Sequence, residues 1–368
     1  MKRLDYLILK ELASPWTFGV GLFTAILLAA GPLNKITSFL AGGASPALVG
    51  KLVLLFMPAL LVKTFSMSIL LAGLLGFGRL SSDSEIVAMQ AGGASIPRII
   101  APVIGLSLLI SAVTFWFNDS IVPQAARTAV SLAEQLAKEG KIGGTAYSKP
   151  QFSKGKLTMM INARNVDLGT QTMQGVSIIL YDKNEKETTV LLAPRAQYKG
   201  PSDWRILDEL KIIPLSDPRA VTILHGGAWP VGVPQPNKSL ADLFVKDDDY
   251  DSYTIAELRT KIAQMKVDQD KKITDIRDFE YGYFNKFSVA LAALVFGTLG
   301  SVLGIRNHRT GTASGFALAV GIIFGYVLLA NFMNVWARSG FLPPWAASFA
   351  PLCIGAVACG VIIYRRNA

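Results

Sequence analysis

The sequence contains no arrangement of side chains that is typical of a catalytic or metal site. It has two histidines, His225 and His308, and two cysteines, Cys353 and Cys359, which are too few for a metal centre or a disulfide framework. The phosphate loop GxxxxGKS/T, the nucleophile motif GxSxG and the zinc motif HExxH do not occur. The acidic run at residues 247–249 is one-sided and typical of a solvated loop. We therefore expect a chain that is not an enzyme and that needs no cofactor of its own.

Polar residues inside long apolar runs are stronger candidates for function, because a charged side chain is costly in lipid and usually faces a cavity or a partner. Lys63 lies near the middle of one run, Lys35 follows the first run, and Arg338 ends a later one. Asn331 and Asn334 share one helical face. These residues are candidates for binding a polar or anionic group. Snorkelling also explains Lys35 and Arg338, and interhelical hydrogen bonding also explains the asparagines.

The elements that position these residues are membrane spans. The chain is 51% apolar and 17% charged, with a mean hydropathy of +0.40, which is typical of membrane proteins. A bilayer core takes about 20 apolar residues of helix. On that basis the sequence predicts spans at about 14–34, 52–78, 98–118, 284–305, 312–334 and 343–364.

Basic residues near the ends of these spans predict the orientation. One side collects Lys2, Arg3, Lys10, Arg79, Arg98, Arg306, Arg309, Arg365 and Arg366. The other side has, in its short loops, Lys35, Lys51 and Arg338. Both termini are therefore expected in the cytoplasm. The charges of residues 119–286 nearly balance, so the net +10 belongs to the membrane portion and does not indicate nucleic-acid binding.

The long segment between the third and fourth spans is predicted to be an outward-facing β domain. Residues 120–140 continue the third span as a helix, and Thr254 with Glu257 forms a capping box for a helix to about 266. Between them, short β-branched and aromatic runs alternate with turn signals, which favours a sandwich or jelly-roll-like sheet stack. The runs lie at residues 156–167, 173–182, 187–198, 204–215 and 220–229.

These elements predict an α-helical membrane protein with six transmembrane helices and an extracytoplasmic all-β, jelly-roll-like domain inserted between helices 3 and 4. The expected divisions are residues 1–118 for the first three spans, 119–283 for the periplasmic domain with its flanking helices, and 284–368 for the last three spans.

A short helix is predicted at about 82–92, in the cytoplasmic hairpin between the second and third spans. Ser82 and Glu85 have capping-box spacing, Ile86 and Met89 share one face, and a glycine pair at 92–93 ends the helix. From these residues alone the helix is either a well-capped connector or a docking site for a cytoplasmic partner.

The same stretch, GFGRLSSDSEIVAMQAGGASIPRI, resembles the signature of the LptF/LptG permeases, also called the YjgP/YjgQ family. Similar segments are found at residues 4–24, 118–125, 284–304 and 342–357. Two departures are Ser66, where a proline is common, and KFSVAL in the fourth span, where KFALPL-like sequences are usual. Both departures concern local helix bends.

The resemblance implies a transmembrane subunit of an ABC transporter that extracts lipopolysaccharide from the bacterial inner membrane. The hairpin helix would then be the coupling helix, with Glu85 making the central contact to an LptB-like ATPase dimer that holds ATP and magnesium. Ser84, Ile86, Met89 and Gly92 would surround that contact, and Lys35 would contact lipid phosphates.

Spans one and five would line a lateral gate, a second LptF/LptG-type subunit or copy would complete the cavity, and the β domain would pass lipid to LptC-like and LptA-like bridge proteins. The residues leave two alternatives open. One is a permease for another envelope lipid or lipoprotein, and the other is a membrane scaffold that transports nothing.

Overall fold

A computed structural model of the chain describes residues 2–31, 37, 39–40, 44–138, 147–153, 156–167, 170–182, 186–200, 203–217, 219–229, 249–267, 273–305 and 312–367. Within them, the helices are α1 (Lys2–Ala30), α2 (Pro46–Ser82), α3 (Glu85–Ala91), α4 (Ile96–Trp116), α5 (Val122–Lys138), α6 (Ile255–Val267), α7 (Ile273–Gly304), α8 (Thr312–Ser339) and α9 (Pro344–Asn367).

Six of the described helical segments are long and apolar enough to cross a membrane, as the sequence predicted. They are Leu4–Ala30, Pro46–Ser82, Ile96–Ala133, Ile273–Gly304, Ser314–Ser339 and Pro344–Tyr364. The second is longer than predicted because its helix continues past the apolar stretch at both ends, and the fourth because its helix begins at Ile273, well before that stretch. The third continues from α4 into α5 through a π-helical turn at Phe117–Ile121, so the predicted helical exit from the third span is confirmed.

The centre of the bundle is a close crossing of α2 and α7. A Cβ atom at Gly300 would lie 2.5 Å from the Leu70 carbonyl oxygen, and one at Gly73 would lie 2.8 Å from the Gly300 carbonyl carbon. Only glycine allows the two backbones to approach this closely. Ile69 and Leu71, on either side of Leu70, are fully buried in the main core.

The two departures from the family pattern lie against each other at this crossing. The Ser66 hydroxyl of α2 donates a hydrogen bond to the Val289 carbonyl oxygen of α7, at 3.1 Å. Within KFSVAL, the Ser288 hydroxyl donates to the Ser348 carbonyl oxygen of α9, at 2.8 Å. In this chain, serine hydroxyl groups therefore form hydrogen bonds between α2, α7 and α9 at the positions that depart from the family pattern.

The segment between the third and fourth spans carries an antiparallel sheet, which confirms the predicted fold class. Its described strands are β1 (Tyr147–Ser153), β2 (Lys156–Asp167), β3 (Thr172–Tyr181), β4 (Glu187–Gly200), β5 (Asp203–Ile206), β6 (Leu210–Pro214), β7 (Thr222–Leu224) and β8 (Gly227–Ala228). All except β1 overlap the predicted runs, and β3, β4 and β5 extend one or two residues beyond them.

Consecutive strands from β1 to β4 are neighbours in this sheet. The second edge of β4 is shared, since the residues from Ala196 onward pair with β5 and Thr189 to Leu192 pair with β6. Trp204 and Trp229 stack within the buried core of the sheet, with ring centroids 6.2 Å apart.

The helix α6 begins with the predicted capping box. The Thr254 amide donates to the Glu257 carboxylate at 2.8 Å, and the Glu257 amide donates back to the Thr254 hydroxyl oxygen at 3.3 Å. The hydrogen bonds that the Glu257 carboxylate accepts lower its pKa, the backbone hydrogen bond from Thr254 having the largest effect. Leu258, Met265 and Phe279 form a small core that fixes α6 to α7.

Candidate functional site

The helix α3 lies in the hairpin between α2 and α4, but it does not begin as predicted. Because α2 continues through Ser82, the Ser82 hydroxyl donates to the Arg79 carbonyl oxygen within α2, at 2.9 Å. Ser84 is the residue before α3, and it has a left-handed backbone with φ of 59° and makes no capping hydrogen bond with its side chain. The predicted Ser82–Glu85 capping box is therefore wrong.

The end of α3 does follow the prediction. Gly93 has a φ of +87°, which favours glycine. The Gly93 amide donates to the Gln90 carbonyl oxygen at 2.9 Å, and the Ala94 amide donates to the Met89 carbonyl oxygen at 3.0 Å. This pair of bonds is the Schellman arrangement that ends a helix.

The side chains of α3 divide into an inner and an outer set. Ile86 is 2% exposed and belongs to the main core of the bundle, against which Met89 is also packed. Glu85 and Val87 point outward, and Val87 is 52% exposed. The Glu85 carboxylate forms no ion pair with any described residue. The surface available to a partner thus includes the Glu85 carboxylate, which pairs with no described residue, and the separately exposed Val87 side chain.

Of the residues predicted around Glu85, Ser84 and Gly92 are exposed, whereas Ile86 is covered by the bundle itself. Val87 was not among the residues predicted from the sequence. It follows Glu85 by two residues, but which side chains of α3 face outward depends on how α3 packs on the bundle.

A second candidate site is a narrow cavity between α2, α7, the π-helical turn and the residues before α6. Its lining includes Lys63, Tyr250, Asp251, Asn285 and Lys286. Lys63 is exposed beside the cavity, whereas Lys286 is 2% exposed. Burial raises the pKa of the Tyr250 phenol well above its ordinary value, and the neighbouring Asp251 and Asp249 carboxylates add to this effect. Tyr250 therefore stays neutral at physiological pH.

Lys286 is held by the π-helical turn. Its Nζ donates to the Asn118 carbonyl oxygen at 2.7 Å, and the Asn118 side-chain amide donates back to the Lys286 carbonyl oxygen at 3.4 Å. The Val122 amide bonds to the Phe117 carbonyl oxygen, and Pro123 has no amide hydrogen. The Asn118 carbonyl oxygen is thus available to the lysine.

No role was predicted for Lys286 from the sequence. The usable signals were a lysine directly before an uncharged run and the proline that ends the segment NDSIVP. Neither signal alone shows that these two segments face each other.

The other predicted polar residues lie apart from this cavity's lining. The Asn331 side-chain amide donates to the Val327 carbonyl oxygen of its own helix at 2.9 Å, and the Asn334 Oδ1 is buried without a hydrogen bond from a described residue. Arg338 forms a forked ion pair with Asp278 of α7, at 2.7 and 2.5 Å. Lys35 lies outside the described residues.

Comparison with known proteins is consistent with this architecture. The family model for the lipopolysaccharide export system permease LptF/LptG matches residues 6–365. The lipopolysaccharide export system permease proteins LptG of Escherichia coli K12 and of Escherichia coli O6:H1 are each 26% identical to the chain over 288 residues, covering 76% of this chain and 74% of the relative. Since the family model covers nearly the whole chain, including all six apolar helices and the sheet between the third and fourth, the chain belongs to the LptF/LptG family of lipopolysaccharide export system permeases.

Proposed function

We propose that this protein is the transmembrane permease subunit of an ABC transporter that extracts lipopolysaccharide from the inner membrane and passes it to a periplasmic bridge toward the outer membrane. The observation that carries the proposal, beside the family, is α3. It is a short helix between two spans whose inner side chain, Ile86, is buried in the bundle core and whose outer Glu85 carboxylate pairs with no described residue.

Energy for transport has to come from a partner, because the sequence contains no phosphate-binding loop. We assign ATP and magnesium to a cytoplasmic LptB-like ATPase dimer. Glu85, Val87 and the exposed Ser84 and Gly92 would contact that dimer. Ile86 and Met89, which pack on the bundle, would instead transmit the movement of α3 to the spans.

The lipid would pass between this subunit and a second LptF/LptG-type subunit. The outer faces of α1 and α8 support this arrangement, since Phe18 is 57% exposed on α1 and Phe324 is 63% exposed on α8. Lys63, exposed within a span, suits an anionic headgroup or phosphate. Lys35, Asn331 and Asn334 remain proposed lipid contacts.

Arg338 is the weakest of the proposed lipid contacts, because Asp278 already occupies one edge of its guanidinium group. Its proposed role is to anchor α8 to α7 at the outer interface, with the remaining edge open to a lipid headgroup.

The proposed orientation puts both termini in the cytoplasm and the sheet in the periplasm, as the distribution of basic residues indicates. The sheet would receive the lipid and pass it to LptC-like and LptA-like bridge proteins. The six apolar helices and the family support a multi-pass protein of the inner membrane.

The contact between Glu85 and the ATPase is tested by Glu85→Ala, with Gln90→Ala on the same exposed helix as the matched control. Loss of a charged hydrogen bond is expected to weaken ATPase association about tenfold. The membrane fold should be unchanged, because Glu85 is exposed. The measurement is ATPase co-purification and lipid release after reconstitution. Equal behaviour of the two variants would remove Glu85 from the docking surface.

The two alternatives are separated by different observations. Mass spectrometry of lipid that co-purifies with the protein would distinguish lipopolysaccharide from another envelope lipid or a lipoprotein. A membrane scaffold needs no ATPase, so a detergent pull-down that retains no ATPase would favour that role.

A further inference from the structure

Two ion pairs connect α1 to the two arms of the hairpin that carries α3. In the first turn of α4, Arg98 Nη2 donates to Asp5 Oδ2 at 3.0 Å, and its Nη1 lies 2.8 Å from Asp5 Oδ1. At the end of α2, Arg79 Nη1 lies 3.1 Å from Glu11 Oε2. An acidic residue of α1 therefore meets the arginine at each root of the hairpin.

Apolar packing lies between these two pairs. Ile8 and Leu12 of α1 are fully buried, and they belong to the same core cluster as Ile86 of α3, Leu80 of α2 and Ile99 of α4. The cytoplasmic half of α1, the inner side of α3 and both arms thus share one continuous core. Such a packed core moves as a unit more readily than it deforms.

The contact with α4 is the distinctive part of this arrangement. Along α2, α1 is held at several levels, including the stacked Trp16 and Phe65 rings and the hydrogen bond between the Thr24 and Thr64 hydroxyls. Asp5 adds a contact with the opposite arm. The pair combines one hydrogen bond with a second close nitrogen–oxygen contact, and such a hydrogen-bonded pair constrains orientation more than a charge contact alone.

The Asp5–Arg98 pair is also better protected than an ordinary surface pair. The two side chains are 35% and 32% exposed, whereas Arg79 is 64% exposed. Exposed ion pairs contribute little, whereas the less exposed Asp5–Arg98 pair also contains a hydrogen bond. Arg98 is consequently the stronger of the two links.

We propose that Asp5 and Arg98 are positioning residues that make α1 follow the movement of α3. This inference rests on the proposed function, because it assumes that an ATPase moves α3. The pair would transmit a movement of the hairpin to span one through both arms. Span one would then rotate together with the hairpin and would not slide along α2 alone.

The test uses Asp5→Arg, Arg98→Asp and the double variant in which the charges are exchanged. The matched control is Lys266→Glu, which reverses one charge of the interhelical Lys266–Glu280 pair on the other side of the bundle. Each protein is reconstituted with its ATPase partner, and lipid released per ATP hydrolysed is measured. Asp5→Asn, which keeps the side-chain volume, replaces Asp5→Arg if that variant fails to assemble.

The single reversals are expected to keep the ATPase bound but to lower lipid released per ATP about fivefold, at the lower end of usual coupling effects. The charge exchange should restore most of the loss, and Lys266→Glu should behave like the unaltered protein. A direct readout is the distance between spin labels at Tyr6 and Gln90, both exposed, with Cys353 and Cys359 replaced by serine. When ATP is added, the distribution of that distance should be broader in the single reversals than in the unaltered protein.

Unchanged lipid release in the single variants, or no recovery in the exchanged pair, would overturn the positioning role. Loss of ATPase binding in the single variants would also overturn it and would make these residues part of the docking surface. If the unaltered protein itself binds no ATPase, the proposed function fails, and that result is distinct from the others.

Discussion

The fourth and fifth spans are similarly apolar, yet they differ in how much of their surface the protein covers. In α7, 61% of the most apolar window is buried, whereas in α8 and in α1 the share is 17%. The difference separates a centre whose contacts are satisfied within the chain from outer faces that are left to lipid or to another subunit. Apolarity indicates that a helix enters the membrane. The buried share of its surface indicates whether it packs inside the bundle or faces lipid or another subunit.

The same contrast recurs in single residue types. Gly300 has no room for a side chain, whereas a Cβ placed at Gly321 has no described atom within 4 Å other than those of its chain neighbours and its own helix backbone. Lys286 is buried and hydrogen-bonded, while Lys63 is exposed beside the same cavity. Buried, closely packed residues such as Gly300 and Lys286 are expected to determine the stability of the protein. Exposed residues such as Gly321 and Lys63 are expected to determine the binding of partners and lipid.

The largest expected effect is at the crossing of α2 and α7. Gly300→Leu should lower the free energy of unfolding by about 3 kcal/mol or more, because the leucine would overlap the backbone of Leu70. Gly321→Leu should leave it within about 0.5 kcal/mol. Thermal unfolding in detergent measures both. Similar losses of unfolding free energy in the two variants would contradict the distinction between the closely packed centre of the bundle and its exposed faces.

The two lysines provide the next test. Lys286→Ala should lower the free energy of unfolding by about 2–3 kcal/mol, since a buried hydrogen bond and buried methylene groups are both lost. Lys63→Ala should change stability by less than about 0.5 kcal/mol and reduce retention of lipopolysaccharide during purification. Lys286→Met, which keeps the volume, separates packing from the hydrogen bond. The comparison fails if Lys63→Ala is the less stable variant.

The smallest expected effects concern how two helices begin. Thr254→Ala should cost about 1 kcal/mol, because it removes the capping bond that begins α6. Ser82→Ala should cost no more than about 0.5 kcal/mol, because Ser82 caps no helix. Urea unfolding of the two variants under one set of conditions measures the difference.

The pH dependence follows from Glu257. Its pKa is lowered in the folded protein from an ordinary 4.5, so its stabilising contribution is present at neutral pH. That contribution is lost as the pH falls below 4.5 and through the lowered value. Glu257→Gln, which removes the titrating carboxyl group, should therefore show a weaker loss of stability on acidification than the unaltered protein.

The spans, most strands and the start of α6 could be predicted from the sequence, because each depends on local periodicity or local hydrogen bonding. Ser82 and Glu85 have the same spacing as Thr254 and Glu257, yet only the second pair forms a capping box. The reason is that α2 continues through Ser82, and the spacing of two residues does not show where the preceding helix ends.

Contacts between distant segments could not be predicted. The Lys286–Asn118 and Asp5–Arg98 pairs depend on how the helices are rotated against each other. Periodicity indicates which residues of one helix share a face, but not which face of another helix they meet. The same limit explains why Ile86 was expected on the docking surface and lies in the core.

The proposed transport of lipopolysaccharide along the open faces is tested most directly by photo-cross-linking in native membranes. A photoreactive side chain replaces Phe324 on α8, and the control replaces Ile354 on α9, which is similarly exposed at 55% against 63%. The account predicts that lipopolysaccharide cross-links at position 324 and that position 354 captures mainly phospholipid. Equal capture at both positions, or capture at 354 alone, would contradict it.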